Sequence, residues 1–247
     1  MNILVHGATG RMGKIVCEMI EAADELNLCA KVAIDAPEGA EANCYTALSH
    51  YSGKADVVID FSHHSAVFDL LDYCEKTNTP VVICTTGHTE EELARIEAAC
   101  KKIAVFKSAN MSIGVALLAQ MGKSAAAMFP DADIEIIERH HNQKLDVPSG
   151  TALLLANRIR EAKTDAKYVI GRHENGKREK REIGIHSLRL ANEVGMHEII
   201  IATGSETVTL THKAENRRLF ADGALAAARF LCCKRAGRYD MQNILSE

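Results

Sequence analysis

Asn2-Ile-Leu-Val-His-Gly7-Ala-Thr-Gly10-Arg-Met-Gly13 decides the fold. An apolar run, Asn2–His6, predicts a strand, and Arg11–Ala23 has the apolar spacing of an amphipathic helix. Between them lies G-x-x-G-x-x-G, a relative of the dinucleotide fingerprint G-x-G-x-x-G. Glycine lets such a loop turn tightly and bring its backbone close to a pyrophosphate. The N–H groups and positive dipole of the helix start then meet the phosphate charge.

Outward from this loop, strand and helix signals alternate. Strands are predicted at Leu28–Ile34, Asp56–Asp60, Val81–Cys84 and Ile103–Phe106, and helices at Ser65–Thr77 and Glu90–Ala99. Strands that read as continuous apolar runs with helices between them imply a parallel sheet covered on both faces. After Asn110 the pattern changes. A long helix is predicted at Met111–Met128, a strand at Asp133–Glu138 and a helix from about Ser149 to Ala162. Tyr168–Glu182 is polar and reads as a long loop. Ile183–Leu190, Glu198–Ala202 and Glu206–Thr211 read as strands whose short connections favour antiparallel pairing. Asn216–Phe230 reads as a closing helix before a short tail. The expected class is α/β: a Rossmann-like parallel-sheet domain over 1–109, then an α+β domain over 110–213 with an open, largely antiparallel or mixed sheet.

Asp35 ends the second predicted strand, where a carboxylate can accept hydrogen bonds from an adenosine ribose and favour NAD. Arg11 is a cation available to a 2′-phosphate, so NADP also stays open. Cys84-Thr-Thr-Gly-His88 and Ser108-Ala-Asn-Met-Ser112 lie at strand C-terminal ends, where ligands of doubly wound sheets bind.

The chain has 247 residues, 47% apolar and 25% charged, with a formal net charge of −4. That balance is ordinary for a globular protein and carries no nucleic-acid footprint. The basic run Arg172–Arg181 is offset by Glu174, Glu179 and Glu182. The start lacks the pattern of a signal peptide, and no apolar run nears the roughly 20 residues of a membrane span. A cytoplasmic protein is expected. The eight cysteines form no Cys-x-x-Cys pair, which argues against a cysteine zinc site and a disulfide framework.

The densest chemistry lies in Glu138-Arg-His-His-Asn-Gln-Lys-Leu-Asp-Val-Pro-Ser-Gly-Thr-Ala152. His140, His141 and Lys144 are candidates for the general acid that a hydride-accepting imine or alkene needs. Gly150 and Thr151 fall in the first turn of a helix, where N–H groups can hold a carboxylate. Pro148 suits the entry to that turn, and Asp146 suits loop ordering or capping. A metal site from Glu138, His140, His141 and Asp146 is disfavoured, because adjacent histidines on one loop do not readily face one ion. The remaining histidines read as surface or structural, with His186 and His197 able to order the second domain. A semialdehyde dehydrogenase would need a cysteine nucleophile, and none lies between Cys100 and Cys232. A non-catalytic, redox-sensing NAD-binding protein would have no use for His140 and Lys144 beside a carboxylate cradle.

These residues resemble the 4-hydroxy-tetrahydrodipicolinate (dihydrodipicolinate) reductase family of lysine and diaminopimelate biosynthesis. The resemblance rests on Glu135-Ile-Ile-Glu138-x-His140-His141-x-x-Lys144-x-Asp146-x-Pro148-Ser149-Gly150-Thr151-Ala152. Asp60-Phe-Ser62, Arg189, Gly195-x-His197-Glu198 and Thr211-His212-Lys213-Ala214 extend it. It implies NADH- or NADPH-dependent hydride transfer to C4 of a cyclic dicarboxylate, with loss of water. His140 would donate or accept a proton and Lys144 donate a second. His141, Gly150 and Thr151 would hold substrate. Cofactor contacts would fall on Gly7, Ala8, Thr9, Gly10, Arg11, Met12, Asp35, Cys84, Thr85, Thr86, Ser108, Ala109, Asn110 and Met111. The family also implies a homotetramer built by the second domain's sheet, and a tail, about 214–247, that packs on the cofactor domain. Cys84 and Met111 depart from the glycine and phenylalanine common there. Asp35-Ala36 leads to the expectation that NADH serves at least as well as NADPH.

Overall fold

The computed structural model describes residues 1–246 and divides into two compact units. The first joins Met1–Met111 to the chain from Arg218 onward; the second is Ser112–Arg217.

The first unit is built on a seven-stranded sheet of β1 (Asn2–His6), β2 (Asn27–Val32), β3 (Cys44–Tyr45), β4 (Val57–Asp60), β5 (Val81–Ile83), β6 (Ala104–Lys107) and β12 (Gly237–Tyr239). Their order is β12-β6-β5-β4-β1-β2-β3, and neighbouring strands run parallel. The interior residues of β1 and all of β4 and β5 are buried, as strands covered on both faces must be. Helices α2 (Val67–Thr77) and α3 (Glu90–Ala99) place Leu70, Leu71, Ile96 and Ala99 against Leu4, Val58, Val81 and Val105. Helices α1 (Arg11–Glu21) and α6 (Arg218–Leu231) contact each other and the strands. A Thr89/Glu92 capping box starts α3, and Asn78, at φ 52°, ends α2. The strand order reverses direction at β1, so the loops after β1 and β4 diverge and leave a crevice between them.

The short tail past α6 carries two elements: β12 joins the sheet edge beside β6, and α7 (Met241–Leu245) follows behind an Asp240 cap. Three residues are too few to show a period. The stretch between Asp35 and Asp56 also adds the short edge strand β3.

The second unit holds a five-stranded sheet, order β11-β10-β7-β9-β8, from β7 (Asp133–His140), β8 (Lys167–Ile170), β9 (Glu182–Arg189), β10 (Gly195–Ala202) and β11 (Thr207–Ala214). The sheet is mixed. β10 pairs antiparallel with β11 and β7, whereas β7–β9 and β9–β8 are parallel. The expected run of antiparallel neighbours therefore fails between β9 and β10, because β7 inserts between them. β8 occupies the start of the stretch read as a loop; a four-residue edge strand, Lys-Tyr-Val-Ile, is too short to show the period that marks one. Helices α4 (Ile113–Met128) and α5 (Gly150–Arg160) cover one face, packing Leu118, Ala119, Leu155 and Ile159 on Ile134, Ile136, Ile183, Ile185, Ile199 and Ile201. Alternation leaves the other face half exposed along β7 and β10. Among the described residues, no helix is long and apolar enough to cross a membrane.

Candidate active site

In the first unit the glycine loop closes under tight steric limits. Gly7 has φ +78°, and a Cβ there would lie 2.6 Å from the Phe61 carbonyl. A Cβ on Gly13 would run into the Gly7 carbonyl, so helix and loop meet backbone to backbone. Gly10 caps α1 without a side-chain bond, and the first turn carries no acid. Its N–H groups thus present positive potential that no side chain quenches. Thr9 Oγ1 donates to Asp35 Oδ1 at 2.6 Å, tying the glycine loop to the end of β2.

Asp60, at the end of β4, organises the crevice. It is 2% exposed. His6 Nδ1 and Ser62 Oγ bond Oδ1 at 2.9 and 2.6 Å, and Thr85 Oγ1 donates to Oδ2 at 2.7 Å. Burial alone would push this carboxyl up, but the His6, Ser62 and Thr85 donors hold it below the ordinary value. One carboxylate thereby fixes the ends of β1, β4 and β5. Met12, Cys84, Thr86, Ser108, Asn110 and Met111 line a cavity of about 250 Å³, joined by Phe61 and Phe220, which were not among the expected cofactor contacts. Ala8 and Thr9 line a second cavity, of about 320 Å³, with Lys14, Ala36 and Pro37. Thr85 turns instead to Asp60. Burial pushes the Cys84 thiol well up, so it packs as an apolar group. The uncapped helix start, the glycine that a side chain would block and the strand-end acid together fit a dinucleotide.

In the second unit the helix-covered face changes chemistry along three neighbouring strands. β7 runs Ile134, Ile136, Glu138, His140; β9 runs Ile183, Ile185, Ser187, Arg189; β10 runs Ile201, Ile199, His197, Gly195. Cross-strand register sets His140 opposite Arg189 and Glu138 opposite His197. An isoleucine core thus ends in a buried polar cluster. Glu138 is fully buried and accepts from His140 Nδ1 at 2.5 Å. Arg189 grips it with both guanidinium arms, at 3.0 and 2.9 Å, and the Ser149 N–H adds a fourth bond at 3.2 Å. Burial would raise the Glu138 carboxyl, but His140 and Arg189 bring it down to about 2. His197 lies edge-on to His140, ring centroids 5.1 Å apart. Burial first, and the His140 charge second, push His197 down to about 3. It is therefore neutral at ordinary pH and shares a 3.1 Å hydrogen bond with Ser149 Oγ.

The loop after β7 brings the other expected residues to this cluster. Lys144 Nζ pairs with Asp146 Oδ1 at 2.7 Å, and the Asp146 carbonyl accepts from Arg189 at 2.7 Å. Burial raises the Asp146 carboxyl, but Lys144 and the backbone N–H groups of Asp146 and Gly150 outweigh it and lower it. The start of α5 thus favours negative charge at this position. Ser149, not Pro148, adjoins the helix as its cap, accepting from the Ala152 N–H at 3.1 Å. Gly150 is exposed and Thr151 half-buried in the first turn; His141 is half-buried, and its carbonyl accepts from Lys144. Glu138, Arg189 and His197 were not read as site residues. β7 runs on to His140, past the expected strand end at Glu138, and takes the histidine off the loop, so Glu138 and His140 share a face. Arg189 and His197 reach His140 only through the strand order.

A parallel sheet built around a dinucleotide loop, with a buried acid–base cluster at a carboxylate-ready helix start, defines a pyridine-nucleotide-dependent reductase. The comparisons with known proteins narrow the class. Residues 1–111 match the family model for the N-terminus of dihydrodipicolinate reductase, and residues 114–245 that for its C-terminus. The chain is 40% identical over 254 residues to 4-hydroxy-tetrahydrodipicolinate reductase of Caldanaerobacter subterraneus, covering 100% of this chain and 99% of that one. It is 41% identical over 246 residues to the same enzyme of Clostridium novyi, covering 99% and 98%. The dipicolinate-bound dihydrodipicolinate reductase of Paenisporosarcina sp. TG-14 superposes with a TM-score of 0.84, at 27% identity over 99% of each chain. The chain belongs to the dihydrodipicolinate reductase family and is an NAD(P)H-dependent oxidoreductase.

Proposed function

We propose that this enzyme reduces 4-hydroxy-tetrahydrodipicolinate to tetrahydrodipicolinate in lysine and diaminopimelate biosynthesis, consuming one hydride and one proton and releasing water. The observation that carries this reading is the buried Glu138–His140 pair beside the loop that carries Lys144 into the start of α5. The matched relatives bear the name of this activity over their full length.

Residues 1–109 form the cofactor domain, with the tail from about 214, and 110–213 the substrate domain. The Gly7–Met12 turn would hold the pyrophosphate, and the Cys84–Thr86 and Ser108–Met111 loops would hold the nicotinamide end. Bound there, the reduced nicotinamide supplies a hydride to C4 of the ring. Asp35, pinned through Oδ1 by Thr9, offers Oδ2 to the adenosine ribose. That carboxylate favours NADH, and Arg11 and Lys14 are the cations on hand for a 2′-phosphate. NADH thus serves at least as well as NADPH. In the substrate domain Gly150 and Thr151 bind one carboxylate, and His141 touches the ring. His140 hands over or takes up a proton, and Lys144 gives a second. The half-exposed sheet face of this domain, with Ile137 and Ile200, supports assembly into a homotetramer, and the site of action is cytoplasmic.

Supplying the product of the preceding synthase and following NADH oxidation tests the reading. Turnover is expected with the wild-type chain. Lys144→Ala should lose on the order of a hundredfold or more in kcat, the contribution of a positioned acid, while NADH still binds. Unchanged turnover in this variant rejects the catalytic assignment.

A further inference from the structure

We propose that Glu138, Arg189 and Gly195 are positioning residues that confine proton exchange by His140 to its Nε2. The inference rests on the reading of His140 as the proton donor or acceptor.

Three features of the second unit carry it. An ionised carboxylate only accepts hydrogen bonds, so the 2.5 Å contact with Glu138 requires a proton on His140 Nδ1. In neutral His140 the lone pair is then on Nε2. Arg189 keeps Glu138 in that role. Its two arms and the Ser149 N–H engage both carboxylate oxygens, so the Nδ1 proton stays on the imidazole rather than moving to a buried, unpaired acid. The same Arg189 bonds the Asp146 carbonyl at 2.7 Å, fixing the loop that carries Lys144 to the same guanidinium.

Gly195 does the third job. Its φ lies outside the left-handed region, so the backbone does not call for glycine. Space does. A Cβ at this position would stand 3.1 Å from His140 Nε2 and 3.4 Å from Cδ2. With Cε1 at 3.9 Å, the three distances put that Cβ over the face of the ring rather than along the Nε2 lone pair. The missing side chain thus lets the imidazole lie against the β10 backbone without being pushed aside, which keeps Nε2 aimed. His197 packs edge-on against the same imidazole.

Nitrogen NMR of the full-length protein with ¹⁵N-labelled histidine tests this, with the His140 signals identified by their loss in His140→Gln. Wild-type His140, when neutral, should be the Nδ1–H tautomer. In Glu138→Gln the amide can donate to Nδ1, so the Nε2–H form should appear and kcat should fall on the order of a hundredfold. KM should move far less. Should that variant not fold, Arg189→Lys, which keeps the charge and loses the fork, should shift the same signals. Gly195→Ala should keep the wild-type tautomer and lose about tenfold or more in kcat, with NADH affinity unchanged. A folded Glu138→Gln that retains the Nδ1–H tautomer, or a Gly195→Ala enzyme of full activity, overturns the proposal. Full turnover in His140→Gln instead refutes the reading of His140 itself, an outcome separate from the tautomer result.

Discussion

Asp60 in the first unit and Glu138 in the second are both buried strand carboxylates that accept a hydrogen bond from a histidine Nδ1, His6 at 2.9 Å and His140 at 2.5 Å. What completes each site differs. Asp60 draws its other bonds from the hydroxyls of Ser62 and Thr85 and from the Ser62 N–H. Glu138 draws them from a guanidinium and a backbone N–H. Hydroxyls from successive loops make Asp60 a knot that holds loop ends in place. A forked guanidinium supplies a fixed counter-charge, so Glu138 can remain ionised while the imidazole beside it changes charge. The same carboxylate–histidine contact thus serves scaffolding in one unit and proton handling in the other, and its remaining partners decide which.

The most direct way to break this contrast is Asp60→Asn. The amide nitrogen must replace one of the two oxygens, so it faces either Thr85 or the His6–Ser62 pair, groups that donate to the carboxylate. Leaving such groups unmatched costs about 1–3 kcal/mol each. The first unit should melt at lower temperature, and NADH affinity should fall by on the order of tenfold or more, tenfold being about 1.4 kcal/mol. Calorimetry and a fluorescence titration with NADH measure the two. If Asp60→Asn instead lowers kcat at full NADH affinity, Asp60 belongs to the chemistry and the contrast collapses.

The two sites were not equally legible. The first could be placed from local signals. The strand, the glycine loop and the helix are contiguous, and Asp60, Thr85 and Ser108 follow from the rule that ligands meet strand C-terminal ends. The second was half legible. His140, Lys144, Gly150 and Thr151 share one stretch of chain, so their chemistry could be read from composition and helix-start logic. Arg189 and His197 could not. They reach His140 because β7 sits between β9 and β10, an order that depends on a parallel β7–β9 pairing that short connections argued against. β8 and β12 were missed for a simpler reason: edge strands of four and three residues carry too little periodicity to register.

Acid sharpens the comparison, because the second unit carries two groups with large downward shifts. Glu138 stands at about 2 in the folded chain against an ordinary 4.5. The stability it contributes is full above pH 4.5 and is lost as pH falls toward 2. His197 stands at about 3 against 6.5, so between these values the unfolded chain binds the proton that the folded chain refuses. That stability is full above pH 6.5 and is lost as pH falls toward 3. The second unit should therefore weaken progressively below pH 6.5. His197→Gln, which cannot take the proton, should flatten the upper part of that decline in urea melts at stepped pH. A variant that declines as steeply as wild type shows that His197 is not the group responsible.

The smallest effect is expected at Asp146, whose side chain is 58% exposed where it pairs with Lys144. Exposed pairs are worth about 0–1 kcal/mol. Its structural contact with Arg189 runs through the backbone carbonyl and survives a side-chain change. The carboxylate itself pairs with Lys144 beside the start of α5, where a substrate carboxylate and proton transfer are placed. An entering substrate must displace it. Asp146→Asn should thus lower KM by no more than about fivefold, the equivalent of such a pair, with kcat nearly unchanged. The drop should shrink as salt screens the pair. A rise in KM would mean that Asp146 aims Lys144 at the substrate instead of competing with it, and would move this carboxylate from the scaffolding side of the comparison to the proton-handling side.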